Sequence, residues 1–133
     1  MVMGYSIKAM SEKVGLTEYT LRYYEREGLL PGIERDENGN RNFSDQDLEL
    51  IGLICCLRNT GMSLTAIKRF VALAQEDATI SVRKQMLLEQ KQVIEQKIQQ
   101  FKKYALKIDK KIACYEELEK NGGADRRGSA SSC

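Results

Sequence analysis

The sequence predicts a mainly α-helical protein, with a head of short helices and one β-hairpin followed by a single long helix. Three observations predict it. Two short amphipathic stretches, 6–14 and 17–27, each open on a good N-cap residue and each stop at a glycine, Gly15 and Gly28. The single proline, Pro31, lies just beyond them and precedes a hairpin signal at Asn38-Gly39. From residue 80 to 119 apolar residues recur every seven positions with no Gly or Pro.

At 133 residues the chain is about one domain, and its 42% of apolar residues suffices for a core. No run of about 18 apolar residues occurs, and no charged-then-apolar leader opens the chain. A cytoplasmic protein that does not enter the membrane is therefore expected. Net charge is +2, which does not announce a nucleic-acid partner. Residues 1–60 hold 7 Lys/Arg against 10 Asp/Glu, and residues 61–133 hold 14 against 9. Nucleic-acid binding by the first half would need locally placed cations. Histidine is absent, which removes Ser-His-Asp and Cys-His chemistry and histidine metal sites. The four cysteines, Cys55, Cys56, Cys114 and Cys133, form no C-x-x-C pair. No phosphate-cradling glycine loop is present. Neither an enzyme, a metal centre nor a cofactor is expected.

The first helix is expected over 6–14, with Ser6 as N-cap and Ile7, Met10 and Val14 on one face. Thr17 opens the next, with Leu16 and Leu21 at the spacing of a hydrophobic staple. Gly28 falls at C′, and Leu29 is placed to touch Tyr24 as in a Schellman ending. Two short helices joined this tightly are helix-turn-helix grammar. With Leu21 set to zero on a helical wheel, Tyr24 and Glu25 lie within about 60° of it, facing inward. Arg22, Arg26, Tyr19 and Tyr23 lie at about 100°, 140°, 160° and 200° on the same wheel. A merely solvated face would carry Lys and Glu. Arginine forks suit phosphates and guanine edges, and tyrosine hydroxyls suit phosphate oxygens. This face reads as a recognition surface; burial under a neighbouring domain is the competing reading.

Short strands are expected around 33–36 and 41–43, joined by a two-residue turn at Asn38-Gly39 and forming a wing from which Arg35 and Arg41 project. Ser44 and Asp47 open a third helix running to about Thr60. Ser63 caps a fourth over 64–75, which buries Ala66, Ile67, Phe70 and Val71. The head thus covers 5–75. In the segment 79–119, Ile80, Leu87, Ile94, Phe101, Ile108 and Tyr115 form one seam and Ile98, Ala105 and Ile112 a second. Such a stripe on a helix of about 60 Å needs a partner, so a coiled-coil homodimer is expected. The Gly/Ser-rich tail, 120–133, is expected to be disordered.

The run "LRYYEREGLLP", the wing "RDENGNRNF", the stretch "DLELIGLICCLRNTGMSLTAIK" and the long helix together resemble the MerR family of bacterial transcriptional regulators, over residues 5 to about 118. The resemblance implies a dimer joined by antiparallel long helices on a near-palindromic stretch of double-stranded promoter DNA. It implies that Arg22 and Tyr23 reach DNA from the second helix, with Tyr24 near the backbone, and that Arg41 and Arg35 act from the wing. Lys8 stands where many members carry Gly and adds a possible phosphate contact. The expected DNA-binding set is Lys8, Thr17, Tyr19, Arg22, Tyr23, Tyr24, Arg26, Arg35 and Arg41. The family mechanism is also implied: the dimer kinks and untwists a promoter whose two elements are spaced too far apart, so that RNA polymerase reads both.

Large drug-binding members append a second domain, for which this chain ends early. Metal-sensing members carry cysteine at the start of the long helix, where this chain reads "ATISVRK". Cys55 falls on the core face of the third helix, whereas Cys56 lands about 80° from Leu48, at the apolar–polar boundary. In this the sequence looks like the subgroup that answers aldehydes and other thiol-reactive stress through a cysteine of that helix. Cys56 is the candidate effector-sensing residue; a structural cysteine, with a non-covalent ligand or metal sensed elsewhere, is the alternative. Cys114 and Cys133 read as structural or incidental. A coiled-coil interaction module is the remaining alternative function, against which the Arg/Tyr face and the wing argue.

Overall fold

A computed structural model describes residues 4–122. The expected disordered tail, and Cys133 with it, lies almost wholly outside these residues. The chain divides after Gln90 into two units.

In the first unit, α1 spans Ile7–Val14 and α2 spans Glu18–Arg26, capped at their N-termini by the side chains of Ser6 and Thr17. α2 ends in a Schellman motif. Leu29 N–H donates to the Tyr24 carbonyl at 2.9 Å and Gly28 N–H to the Glu25 carbonyl at 3.1 Å, with Gly28 at φ 81°. Leu29 and Leu30 then turn into the core, both under 3% exposed. The termination therefore fixes the length of α2 and seats its exit at once.

The wing consists of β1, Glu34–Arg35, and β2, Arg41–Asn42, paired antiparallel with Arg35 opposite Arg41. The turn differs from expectation. Its loop holds Glu37, Asn38 and Gly39, with Gly39 N–H bonded to the Asp36 carbonyl at 3.0 Å and Asp36 N–H to the Asn40 carbonyl at 2.8 Å. The Asp36 carboxylate accepts N–H bonds from Asn38 and Asn40, both at 2.9 Å, which favours the longer loop. Gly39, at φ 79°, takes the left-handed position that such three-residue loops require. A second feature has no signal in the sequence: Tyr5 pairs with Phe43 through two backbone hydrogen bonds, 2.7 and 2.8 Å, which ties the start of the head to the base of the wing.

Ser44 and Asp47 form the capping box that opens α3, Asp45–Asn59, and Ser63 caps α4, Leu64–Ala74. Met10 of α1, Leu21 and Tyr24 of α2, Phe43 below the wing, Ile51, Ile54 and Leu57 of α3, and Ile67 and Val71 of α4 make one core. Lys68 on α4 reaches Glu27 at the end of α2, at 2.7 Å. That bond holds the Glu27 carboxyl below its ordinary range and the Lys68 ammonium above its own.

A 3₁₀ turn, Asp77–Thr79, leads into α5, Ile80–Lys120. Thr79 is buried, and its hydroxyl bonds the Leu73 carbonyl and accepts from Arg83 Nε at 3.0 Å. Gln90 Nε2 donates to the carbonyl and hydroxyl oxygens of Thr60, at 3.1 and 2.9 Å, so the first turns of α5 are fastened to the end of α3. In the second unit α5 continues as a single uninterrupted helix. Its seam is uncovered: Ile98, Phe101, Ile108, Ile112 and Tyr115 are 47%, 68%, 61%, 48% and 44% exposed. Among the described residues no helix is long and apolar enough to cross a membrane.

Candidate nucleic-acid interface

The outward face of α2 is set by its inward one. Leu21 and Tyr24 are 1% and 7% exposed, so residues about 100–200° round the helix must face away from the core. Arg22 and Arg26 are exposed, and Tyr19 is 69% exposed. Arg22 makes an ion pair with Glu18 at 3.3 Å, one turn back, of the surface kind that gives way easily. Tyr23 is half-buried rather than fully outward. Its ring lies along the rim of the core with the Arg26 guanidinium 5.9 Å above it. Tyr24 sits in the core, as the wheel places it, and burial above all raises its hydroxyl pKa. Thr17 is occupied in capping: its side chain accepts the Thr20 N–H at 3.1 Å and bonds the Thr20 hydroxyl at 2.9 Å.

The remaining expected residues converge. Lys8 from the first turn of α1, Arg22 from α2, and Arg35 and Arg41 from the wing all line one groove of about 500 Å³, together with Ser6, Asp36, Asn40 and Asn42. Four cations from three elements thus meet in the half of the chain where acids outnumber bases. Tyr19, Tyr23 and Arg26 share the α2 face without lining that groove.

Two features of the site escape a linear reading. Glu25 of α2 holds Arg41 Nε at 2.7 Å and lies 3.9 Å from Arg35 Nη2. Opposite charges 16 residues apart could have suggested the first pairing, but only the fold makes them neighbours. The Tyr5 hydroxyl donates to Asp45 Oδ1 at 2.7 Å, and that bond raises its pKa.

On α3, Cys55 and Cys56 are free thiols with different surroundings. Cys55 is half-buried against the core and burial pushes its pKa up, which disfavours the reactive thiolate. Cys56 is exposed in the last turn of α3. Its carbonyl accepts from the N–H and the hydroxyl of Thr60, at 3.1 and 2.9 Å, the same Thr60 that Gln90 grips. Among the described residues no three His, Cys, Asp or Glu side chains cluster as metal ligands.

A tightly terminated helix-turn-helix, a wing, a cationic groove between them and a long helix with an open apolar seam define a winged helix-turn-helix regulator. Comparison with known proteins narrows the class. The family model described as "MerR HTH family regulatory protein" matches residues 5–73, and that described as "MerR, DNA binding" matches residues 48–111. An uncharacterized HTH-type transcriptional regulator of Haemophilus influenzae is 41% identical over 121 residues, which is 90% of either chain. The regulator AdhR of Bacillus subtilis is 39% identical over 88 residues, covering 65% of this chain and 63% of AdhR. Among solved structures, HiNmlR, a MerR family regulator lacking the sensor domain and bound to promoter DNA, is 39% identical. The match has a TM-score of 0.82 and covers 98% of this chain and 100% of HiNmlR. A MerR family regulator from Bacillus thuringiensis is 37% identical with a TM-score of 0.77, over 85% of this chain and 100% of that one. The chain belongs to the MerR family, a family of transcriptional regulators and not of enzymes.

Proposed function

We propose that the protein is a dimeric, sequence-specific DNA-binding regulator that reshapes a promoter for RNA polymerase. The observation that carries this reading is the convergence of Lys8, Arg22, Arg35 and Arg41 on one groove beside the exposed face of α2. A site for a phosphate backbone needs such cations, and base edges need a helix narrow enough to enter the major groove. In this reading Arg22 and Tyr23, with Tyr19 and Arg26 beside them, face DNA from α2, while Arg35, Arg41 and Lys8 take phosphates. Thr17 and Tyr24 serve by capping and seating that helix at the backbone.

The open seam of α5 is covered by the same seam of a second copy, with the helices antiparallel. Antiparallel pairing about the middle of the stripe brings Arg83 and Lys84 of one protomer towards Glu116, Glu117 and Glu119 of the other, where parallel pairing sets like charges together. The dimer then holds two α2 helices on one face of the duplex, whole turns of about 34 Å apart. Bending and untwisting the intervening promoter is the step that lets polymerase engage it.

Arg22→Ala is expected to weaken binding to a duplex selected from a random pool by the wild-type protein by about 1–3 kcal/mol per site, and to relax base preference. Titrations of selected and scrambled duplexes measure both. Equal affinity of wild type and variant for every duplex contradicts the assignment.

Cys56 is the proposed sensing residue, for thiol-reactive electrophiles. Its exposure at the end of α3 supports this, as does its place beside the Thr60–Gln90 bond to α5. Towards a quinone, the sulfur adds to a ring carbon, the thiol proton ends on one ring oxygen and the proton of the attacked carbon shifts to the other, leaving a thioether-substituted hydroquinone. With a limiting dose of benzoquinone, peptide mass spectrometry is expected to find the adduct on Cys56 and to lose it in Cys56→Ser. Equal labelling of Cys55 and Cys56, or labelling that leaves Cys56 untouched, would remove the proposal.

A further inference from the structure

We infer that Glu25 is a positioning residue, whose carboxylate on α2 locks the wing arginines into the DNA-binding groove so that helix and wing engage the duplex as one unit. The inference rests on the DNA-binding reading above and adds a residue that carries the wrong charge to touch a phosphate.

The geometry is specific. Arg41 Nε lies 2.7 Å from Glu25 Oε1, and Arg35 Nη2 lies 3.9 Å from the same oxygen. The side chains of Arg41 and Glu25 are 21% and 23% exposed, so this pair is more sheltered than Arg22–Glu18 or Lys68–Glu27. Arg35 Nη1 also donates to the Gly39 carbonyl at 3.2 Å, so the carboxylate connects α2 to both strands and to the turn.

The wing needs such a tie. Each strand is two residues long, and a two-stranded ribbon has little stability of its own. The Tyr5–Phe43 bridge holds only its base. A free arginine samples many rotamers, and ordering it at the moment of binding weakens the complex; an arginine already held avoids that loss. Glu25 engages Arg41 through Nε, which leaves the two terminal amino groups of the fork for a phosphate.

Charge alone predicts the opposite outcome, because a carboxylate beside a phosphate site repels DNA. The two effects differ in sign, and that makes the test decisive. Binding of the 133-residue chain to the selected duplex and to a scrambled duplex is measured across salt concentrations for wild type, Glu25→Gln, Glu25→Ala, Arg41→Ala and Glu25→Ala/Arg41→Ala. Glu25→Gln keeps the shape and one acceptor, and melting curves check that each variant folds. The expected order of affinity for the selected duplex is wild type, then Gln, then Ala, with a loss of about tenfold for Ala. The salt slope is expected to fall by about one for each phosphate left without its arginine. In the Arg41→Ala background, Glu25→Ala is expected to cost little, because its role runs through Arg41. Tighter binding of both Glu25 variants to both duplexes overturns the inference, as does an undiminished cost in the Arg41→Ala background. Unchanged binding of Glu25→Ala likewise overturns it, and Arg22→Ala, measured alongside, separates the two levels: if that variant also leaves selected-duplex binding unchanged, the DNA-interface reading itself has failed.

Discussion

Glutamates at Phe101 and Ile108 together are expected to split the dimer and to lower affinity for the selected duplex by at least about 100-fold, because two linked half-sites become two separate binding events. Both side chains are largely exposed in the single chain, at 68% and 61%, so the substitution removes nothing from the core of the head. In a paired seam the same positions face apolar side chains. A buried, unpaired carboxylate there costs several kcal/mol, and each dimer would carry four. Sedimentation is expected to report the 15.1 kDa monomer instead of twice that mass, with the melting of the head unchanged. A variant that stays dimeric would show that the seam is not the dimer interface.

Phe43→Ala is expected to have the largest effect on stability, a loss of about 3–5 kcal/mol. Phe43 is 1% exposed and belongs to the core, directly after β2. Its backbone bonds to Tyr5 survive the change, so the loss comes from the cavity left between the wing and the helices. Against a total stability of about 5–15 kcal/mol for a domain, such a loss is expected to lower Tm by about 12 °C or more. Urea unfolding monitored by circular dichroism measures it. A loss below about 1 kcal/mol would mean that Phe43 does not anchor the wing.

Much of this fold is written locally. Ser6, Thr17, Ser44 and Ser63 each accept a backbone N–H at the start of a helix, as short-range capping patterns predict. Gly28 and Leu29 end α2 by the bonds that their spacing implies. The heptad seam needs only helical periodicity to be seen. The wheel also separates Leu21 and Tyr24 from Arg22, Arg26 and Tyr19, which is the essential asymmetry of the site.

What stayed hidden depends on contacts across long stretches of chain. Tyr5–Phe43, Glu25–Arg41 and Gln90–Thr60 each join elements that only tertiary packing brings together. Asn38-Gly39 is a strong signal for a two-residue turn, but the Asp36 carboxylate, by bonding two N–H groups, makes the three-residue loop the better answer. Tyr23 shows the limit of a wheel: a long ring attached to the outer face still lies back over the core rim.

A dimer that reads DNA with two α2 helices on one face of the duplex protects it in a periodic pattern. Hydroxyl-radical footprinting on the selected duplex tests it most directly. Two protected patches are expected on the same face, separated by whole helical turns of about 10–10.5 base pairs, both lost with Arg22→Ala. Protection without sequence preference, or a single patch unaffected by Arg22→Ala, would contradict it.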